Sequence, residues 1–179
     1  MLFSLLFIPP TISGIDDTLP RFEQPLLITS AGQSADVQIA GVLAKRAGLS
    51  AVLSKKANGE ELESIKTVAL VIGVSMKGLG AAGSDPDQEK TRVMSLIEAA
   101  RGKNIPLLCF HLGGETRRGQ LTDDFITTFL PSAKLALVVK SGNQDGLFLR
   151  ICQENNIPLI EVERAVDALQ PFQEMFQTQ

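Results

Sequence analysis

Short apolar runs alternate along this chain with longer segments in which apolar positions recur every three or four residues. The runs TVALVIGV and LALVV are apolar at consecutive positions, which is typical of strands covered on both faces of a sheet. Strands are predicted at residues 25–30, 50–55, 67–74, 105–111, 135–140 and 157–162. Helices are predicted at residues 34–47, 59–65, 85–101, 122–130, 145–155 and 163–176.

Residues with special backbone preferences support these boundaries. Three strands open alike, in QPLLITS, IPLLCFH and IPLIEVE, and proline is tolerated at the first residues of a strand but not in its middle. Asn104 and Asn156 precede two of these strands and suit the left-handed conformation that ends a helix. Asp85 and Pro86 supply a cap and a first position for the helix at 85–101.

The alternation of buried strands with helices predicts an α/β fold, a three-layer, doubly wound parallel sheet with right-handed crossovers. Glycine and polar residues fill the loops after the first, third, fourth and fifth strands, with the sequences SAGQSAD, SMKGLGAAGSD, HLGGETRRG and KSGNQDG. The flavodoxin-like order 2-1-3-4-5 places these four loops side by side, whereas the Rossmann order 3-2-1-4-5-6 puts the third strand at an edge. We therefore expect the order 2-1-3-4-5, with a sixth strand extending the far edge.

Ligands of open parallel sheets bind beyond the carboxyl ends of the strands, so these loops predict a cleft for a small anionic or polar molecule. Arg117 and Arg118 can present forked donors to a carboxylate or phosphate, and Lys77 and Lys140 add positive charge. Glycines let the backbone approach a ligand, and hydroxyl and amide groups add hydrogen bonds. The candidate ligand-binding residues are Ser30, Gly32, Gln33, Ser34, Lys77, Gly78, Gly80, Gly113, Gly114, Arg117, Arg118, Lys140, Ser141 and Asn143.

Several of these residues also have a purely structural explanation. Glycine at a turn between strand and helix often meets a backbone requirement alone. Ser34 and Thr122 are candidate helix caps, and Asp36 complements the dipole of the first helix. Arg117 and Arg118 are either ligand contacts, solvated side chains, or partners of Asp123 or Asp124, and His111 is alternatively a half-buried structural histidine.

Catalysis is an alternative to simple binding. His111 is the only histidine and closes the fourth strand at the mouth of the predicted cleft, where it and Glu115 would be the acid/base pair of a hydrolase or transferase. Ser30 or Ser75 could then act as the nucleophile. The chain has no G-x-S-x-G elbow, however, and Cys109 lies inside its strand, so we favour a binding module.

Other chemistries have weaker support. GLGAAG, residues 78–83, matches the dinucleotide fingerprint as a string, but Ser75–Lys77 intervene and the predicted helix begins only at residue 85. Nucleotide or flavin binding is therefore a minor alternative, and the sequence identifies no cofactor. One histidine with scattered carboxylates predicts no metal site. A transporter-associated or regulatory protein that binds a partner is a further alternative, and it predicts a contiguous apolar surface patch.

Composition narrows the class of protein. The 179 residues are 44% apolar and 21% charged, which predicts one soluble domain, placed here at residues 24–179. A net charge of −3, the lack of any long basic run, and the absence of Trp and Tyr argue against a nucleic-acid partner. Cys109 and Cys152 do not have metal-binding spacing.

Residues 1–20 read as a leader or an N-terminal tail. The apolar run Leu2–Ile8 is too short to span a bilayer, and no transmembrane span is predicted. It resembles the end of a secretory signal, with small residues at Thr11 and Ser13, so an extracytoplasmic (periplasmic or secreted) location is favoured over a cytoplasmic one. The alternative is a tail that docks onto the domain.

Four loop sequences resemble the signature loops of a family of uncharacterised bacterial domains. They are LLITSAGQSADV, KGLGAAG, HLGGETRRG and VVKSGNQDGLF, and the resemblance covers about residues 24–162. Many members of that family carry export signals. The resemblance implies a small α/β domain, an expectation of export, and no known activity.

Overall fold

A computed structural model describes residues 19–176, so the leader predicted at residues 1–20 lies almost wholly outside the described residues. Six parallel strands form one sheet in the order β2-β1-β3-β4-β5-β6, which confirms the predicted order and the sixth strand. The strands are β1 (Leu26–Ala31), β2 (Ala51–Leu53), β3 (Thr67–Ile72), β4 (Leu107–His111), β5 (Leu135–Val139) and β6 (Leu159–Val162).

Helices cover both faces of the sheet, as predicted for a three-layer fold. They are α1 (Asp36–Arg46), α2 (Met76–Ala81), α3 (Pro86–Gly102), α4 (Gln120–Phe129), α5 (Leu147–Glu154) and α6 (Leu169–Glu174). The helix predicted at 59–65 is a 3₁₀ turn at Gly59–Leu62, and the one predicted at 163–176 is a 3₁₀ turn at Ala165–Ala168 followed by α6. Further 3₁₀ turns lie at Gly114–Arg117, Leu130–Ser132 and Lys140–Asn143.

Helix α2 falls in the glycine-rich segment that was expected to be a loop. Ser75 caps it by accepting a hydrogen bond from the backbone N–H of Gly78, 3.1 Å away. A Cβ atom at Gly78 would lie 2.0 Å from the carbonyl oxygen of Gln33. Gly78 is therefore required for α2 to pack against the loop after β1. Gly80, the other predicted binding glycine of this segment, also lies in α2.

The core has two halves, one on each face of the sheet. Side chains of α3, α4 and α5 pack on one face, and those of α1 and α6 pack on the other. β1, β3, β4 and β5 are buried along their whole length, which is the burial predicted from their continuous apolar runs. The two edge strands differ from these: β6 is only partly buried, and all three residues of β2 are exposed.

Most predicted helix ends are confirmed. Asp85 and Gln88 form a reciprocal capping box at the start of α3, and Asn104 and Asn156 have φ angles of 57° and 54°. The prediction that Thr122 caps a helix is wrong. Thr122 lies inside α4, where its buried hydroxyl accepts a hydrogen bond from the backbone N–H of Val74 at 3.1 Å.

Both cysteines are free thiols in the core between the sheet and helices α3 to α5. Burial raises the pKa of Cys109 far above its ordinary value and raises the pKa of Cys152 to about 11. Between residues 19 and 176, no helix is both long and apolar enough to cross a membrane.

Candidate functional site

The loops after β1, β3, β4 and β5 meet at the carboxyl edge of the sheet. We call residues 32–35, 73–75, 112–119 and 140–146 the carboxyl-edge site. Ser75 donates its backbone N–H to the carbonyl of Gly32 at 2.8 Å, which joins the first two loops. The Glu115 N–H donates to the Ser141 hydroxyl at 3.4 Å, which joins the last two. The four loops thus lie side by side, as their order in the sheet requires.

A buried polar cluster lies where the ends of β1, β3 and β4 converge. The Ser34 hydroxyl lies 2.9 Å from Asp36 Oδ2, and Arg117 Nε lies 3.3 Å from the same oxygen. Cβ atoms at Gly73 and Gly113 would lie 3.4 and 2.6 Å from Asp36 Oδ2, so both glycines leave the room that this carboxylate occupies. Asp36 lies in the first turn of α1, as expected for a residue that complements the helix dipole, and it is also a buried ion-pair partner.

Arg117 covers this cluster and keeps part of its guanidinium available. Its side chain is 35% exposed, whereas that of Asp36 is 8% exposed. The contact with Asp36 is through Nε, and the two terminal nitrogens have no hydrogen-bond partner among residues 19–176. Arg117 can therefore hold Asp36 and present two further donors outward.

Arg118 is fully engaged by its neighbours. It donates to Asp123 Oδ1 at 2.6 Å, to both carboxylate oxygens of Asp145 at 3.0 and 2.8 Å, and to the carbonyl of Gly142. These hydrogen bonds raise the pKa of Arg118 and lower the pKa of Asp145 to about 2. Arg118 therefore cross-links the loop after β4 to the loop after β5. Of the two predicted roles of Arg118, pairing with Asp123 is confirmed, and no free charge is left for a ligand.

His111 lies beneath the edge, not at the mouth of a cleft as predicted. Its side chain is fully buried, with Nδ1 3.0 Å from the carbonyl of Ile72 and Nε2 3.1 Å from the carbonyl of Gly114. Burial lowers the pKa of His111, although the hydrogen bonds to the carbonyls of Ile72 and Gly114 act in the opposite direction. Glu115 is exposed and makes no side-chain contact with His111 in the described part of the chain. Proton transfer by His111 would require one of these contacts to break.

The two lysines of the predicted cationic cleft do not join the cluster. Lys140 is exposed and pairs with Glu163 at 3.0 Å, and the hydrogen bond to Glu163 raises the pKa of Lys140. Lys77 is exposed on α2. Three of the four predicted cations thus have their own carboxylate partners, and the expected concentration of free positive charge is not assembled.

The remaining predicted residues hold the loops in place. The Asn143 side chain accepts from the N–H of Phe148 at 2.9 Å and so anchors the start of α5. Gln33 has a φ of 57° and donates to the carbonyl of Lys55 at 3.1 Å. A Cβ at Gly114 would lie 2.4 Å from the Ser141 hydroxyl, which the glycine therefore accommodates. The Ser30 hydroxyl is buried without a hydrogen-bond partner in the described residues.

Sequence reasoning missed a buried ion pair on α3. Glu89 is 1% exposed and accepts hydrogen bonds from the Gly32 N–H and the Gln33 amide, each at 3.0 Å. Arg92 pairs with Glu89 at 2.8 Å and donates to the carbonyls of Ala57 and Ser30 at 2.7 and 2.5 Å. Glu89 lies four residues before Val93, on the apolar face of the predicted helix. A charged residue on that face was the signal in the sequence that could have indicated a buried ion pair.

A hollow of 280 Å³ opens between the loop after β3 and the start of α4. Met76 and Leu121 form apolar walls and are 59% and 40% exposed. The backbone N–H groups of Gln120 and Leu121 belong to the first turn of α4 and have no acceptor among the described residues. The hollow therefore combines apolar walls with unpaired amide donors.

Two larger hollows, of 430 and 440 Å³, lie at the opposite edge of the sheet and share residues 104–106. Lys103 lines the first and Arg101 lines the second, both at the end of α3. Ligands of open parallel sheets bind beyond the carboxyl ends of the strands, so we place the candidate site at the carboxyl edge.

Comparisons with known proteins identify the family of this chain but assign it no activity. A family model described as a domain of unknown function (DUF6305) matches residues 23–176, which confirms the resemblance seen in the loop sequences. No curated protein matches the chain. A GDSL-like lipase from Bacteroides thetaiotaomicron VPI-5482 is 11% identical, with a TM-score of 0.34 over 76% of this chain and 66% of that one. AlinE4, an SGNH-hydrolase family esterase, is 11% identical, with a TM-score of 0.32 over 89% of this chain and 84% of that one.

Proposed function

The chain belongs to the DUF6305 family of domains of unknown function, and from the geometry of its site we propose that it binds a small polar or anionic molecule at the carboxyl edge of the sheet. The observation that carries this proposal is the position of Arg117. Its Nε holds the buried Asp36 while its two terminal nitrogens remain without partners in the described residues. A guanidinium in this state recognises a carboxylate, a phosphate or a neutral carbonyl oxygen.

The neighbouring hollow gives the ligand a place for its less polar part. Val74 and Thr122 line the hollow, and Val74 follows Gly73, which lies against Ser34 and Asp36. A ligand whose polar group meets Arg117 can thus extend toward Met76 and Leu121. The unpaired amides at the start of α4 add donors for a second oxygen.

The charge of Asp36 limits the charge of the ligand. Asp36 lies 3.3 Å from Arg117 and already offsets most of its positive charge. A multiply charged anion would be repelled by this carboxylate in a partly buried setting, where screening by water is weak. The site therefore favours neutral polar molecules and monoanions over polyphosphates.

Replacement of Arg117 by glutamine tests the ligand contact. We expect thermal-shift screening against monocarboxylates, phosphate diesters and neutral amides to yield a stabilising compound, whose dissociation constant rises by about tenfold or more in Arg117→Gln. Isothermal titration calorimetry of that compound against both proteins measures the change. Arg164→Gln is the matched control, because Arg164 is an exposed arginine paired with Asp167 outside the site. Equal affinity of Arg117→Gln and the wild type would refute the proposal.

A second candidate function is hydrolysis. The observation that favours it is the 2.9 Å contact between the Ser34 hydroxyl and Asp36 Oδ2 at the end of β1, because a carboxylate so placed can accept the proton of a nucleophilic serine. The version with His111 and Glu115 as acid and base requires His111 to leave a backbone carbonyl first. Release of p-nitrophenol from p-nitrophenyl acetate that Ser34→Ala abolishes would favour this candidate. Binding without turnover favours the first.

A further inference from the structure

The edge strand β2 is exposed in a way that is unusual for a parallel sheet. All of Ala51–Leu53 is exposed, with Val52 at 50% and Leu53 at 39%, whereas β1, β3, β4 and β5 are buried throughout. Strands of parallel sheets are normally covered on both faces, and apolar edge strands invite pairing with another chain. Residues 19–176 therefore leave β2 without the cover that is usual for an apolar strand of a parallel sheet.

The apolar surface continues from β2 onto α1. Ile39 and Val42 of α1 are 37% and 57% exposed. A Cβ at Gly41 would lie 3.3 Å from Leu53 Cδ2, so the helix and the strand are in close contact at that glycine. We call Ile39, Val42, Val52 and Leu53 the edge surface.

The outward-facing backbone groups of β2 have no hydrogen-bond partner among the residues that the structure describes. Leu26 N–H donates to the carbonyl of Ser50, and Ser54 N–H donates to the carbonyl of Ile28. In a parallel ladder, alternate residues bond the same neighbour, so Ser50, Val52 and Ser54 face β1. Ala51 and Leu53 consequently direct their N–H and C=O groups away from the sheet, at the spacing that an added strand requires.

Positive charge surrounds the edge surface. Lys45 and Arg46 end α1, and Lys55 follows β2. None of these three side chains forms an ion pair with a carboxylate within residues 19–176, although the chain as a whole has a net charge of −3. An occupant that carries carboxylates would thus be complementary to this part of the surface.

We propose that β2 and the edge surface bind an extended, acidic segment of a partner protein, which adds to the sheet as a further strand. The segment's backbone would pair with Ala51 and Leu53, and its apolar side chains would cover Val42 and Val52. Its carboxylates would meet Lys45, Arg46 and Lys55. Strand addition of this kind draws affinity from backbone hydrogen bonds and specificity from alternate side chains. This surface is separate from the carboxyl-edge site and does not depend on the ligand proposed there.

A synthetic peptide that alternates valine with aspartate and glutamate is the probe. We expect its fluorescence anisotropy to rise on titration with the full chain, and the affinity to fall as salt increases from about 50 to about 500 mM. A peptide with lysine in place of each acid should not bind. The acidic peptide with alternate amides N-methylated should bind at least about tenfold more weakly, because it cannot complete the ladder.

Variants of this chain locate the binding surface. Val42→Glu should weaken binding of the acidic peptide about tenfold, and Ala51→Pro should do the same, because it removes an N–H that the fold does not use. Val166→Glu is the control, since Val166 is 46% exposed elsewhere. Arg117→Gln should leave peptide binding unchanged, which separates this proposal from the ligand site. Circular dichroism checks that each variant folds.

Three results would overturn the proposal. The first is equal binding of the acidic and the lysine peptide, and the second is equal weakening by Val166→Glu and Val42→Glu. The third is light scattering that shows a dimer of this chain which Val42→Glu dissociates, because a second copy would then be the occupant. If no peptide binds, the proposal also fails, because Lys55 would then only protect the exposed strand edge from pairing with other chains.

Discussion

Replacement of Glu89 by leucine is expected to lower the free energy of unfolding by about 3–5 kcal/mol, because it leaves Arg92 charged and uncompensated in the interior. It also strands the Gly32 N–H and the Gln33 amide, both of which donate to Glu89 at 3.0 Å. Since Gly32 and Gln33 begin the loop after β1, the carboxyl-edge site should loosen together with the fold.

Urea unfolding at pH 7 measures this loss, and two further variants separate its causes. Glu89→Gln keeps most hydrogen bonds and should cost less than Glu89→Leu. The double change of Glu89→Leu with Arg92→Met should recover much of the stability, because it removes the charge that was left unpaired. If the double variant is as unstable as the sum of its single changes, the ion pair is not the source of the effect.

Lowering the pH should remove the contribution of Glu89 to the stability of the fold. Burial raises the pKa of Glu89, but hydrogen bonds from Arg92, Gly32 and Gln33 outweigh burial, and the net pKa is lowered. The carboxylate therefore stabilises the fold fully above its unfolded pKa of about 4.3, and this contribution is lost as the pH falls through the lower folded value. Glu89→Gln should show a shallower fall in stability below that pH.

Replacement of Gly32 by alanine is the second change with a large expected cost, about 3–5 kcal/mol. Gly32 has a φ of +108°, where a side chain is strained. The new Cβ would lie 2.6 Å from the carbonyl oxygen of Gly73 and 2.7 Å from Val74 Cα, and these backbone atoms cannot rotate away. Both the backbone strain and the clash destabilise the folded state, and the loops after β1 and β3 must move apart to relieve the clash.

Gly80→Ala is the matched control for this prediction. Gly80 lies in α2, and a Cβ there would have no heavy atom within 4 Å. Alanine in a helix is favoured over glycine by about 1 kcal/mol, so this variant should be slightly more stable than the wild type. Urea midpoints of the two variants compare the effects directly. A loss below about 1 kcal/mol for Gly32→Ala would show that the two loops are not tightly joined.

The sequence predicted the architecture because its signals were local or additive. Continuous apolar runs marked the buried strands, and the placement of glycine-rich loops selected the order of β1, β3, β4 and β5. Helix α2 escaped prediction because its glycines have low helix propensity, and a tertiary contact between Gly78 and the carbonyl of Gln33 explains its composition. Propensity describes the isolated segment, whereas this helix depends on a neighbour distant in sequence.

The meeting of the four loops at one edge of the sheet was predicted, but the pairing of their cations with carboxylates was not the favoured prediction. The four loops meet at one edge, yet each arginine is bound by a carboxylate: Arg117 by Asp36, and Arg118 by Asp123 and Asp145. Pairing of Arg118 with Asp123 was one of the alternatives, since the two residues are close in sequence, whereas the pair of Arg117 with Asp36 depends on geometry between distant elements. A structural role for His111 was likewise an alternative, but its complete burial depends on the Gly114 and Gly142 turns that cover the end of β4.

The two core thiols make unfolding of the native protein chemically visible. Cys109 and Cys152 are shielded from solvent, and their raised pKa values leave almost no thiolate at neutral pH. A thiol-modifying reagent can reach them only when the layer formed by α3, α4 and α5 separates from the sheet. The rate of their labelling therefore reports how often that layer opens, without any engineered probe.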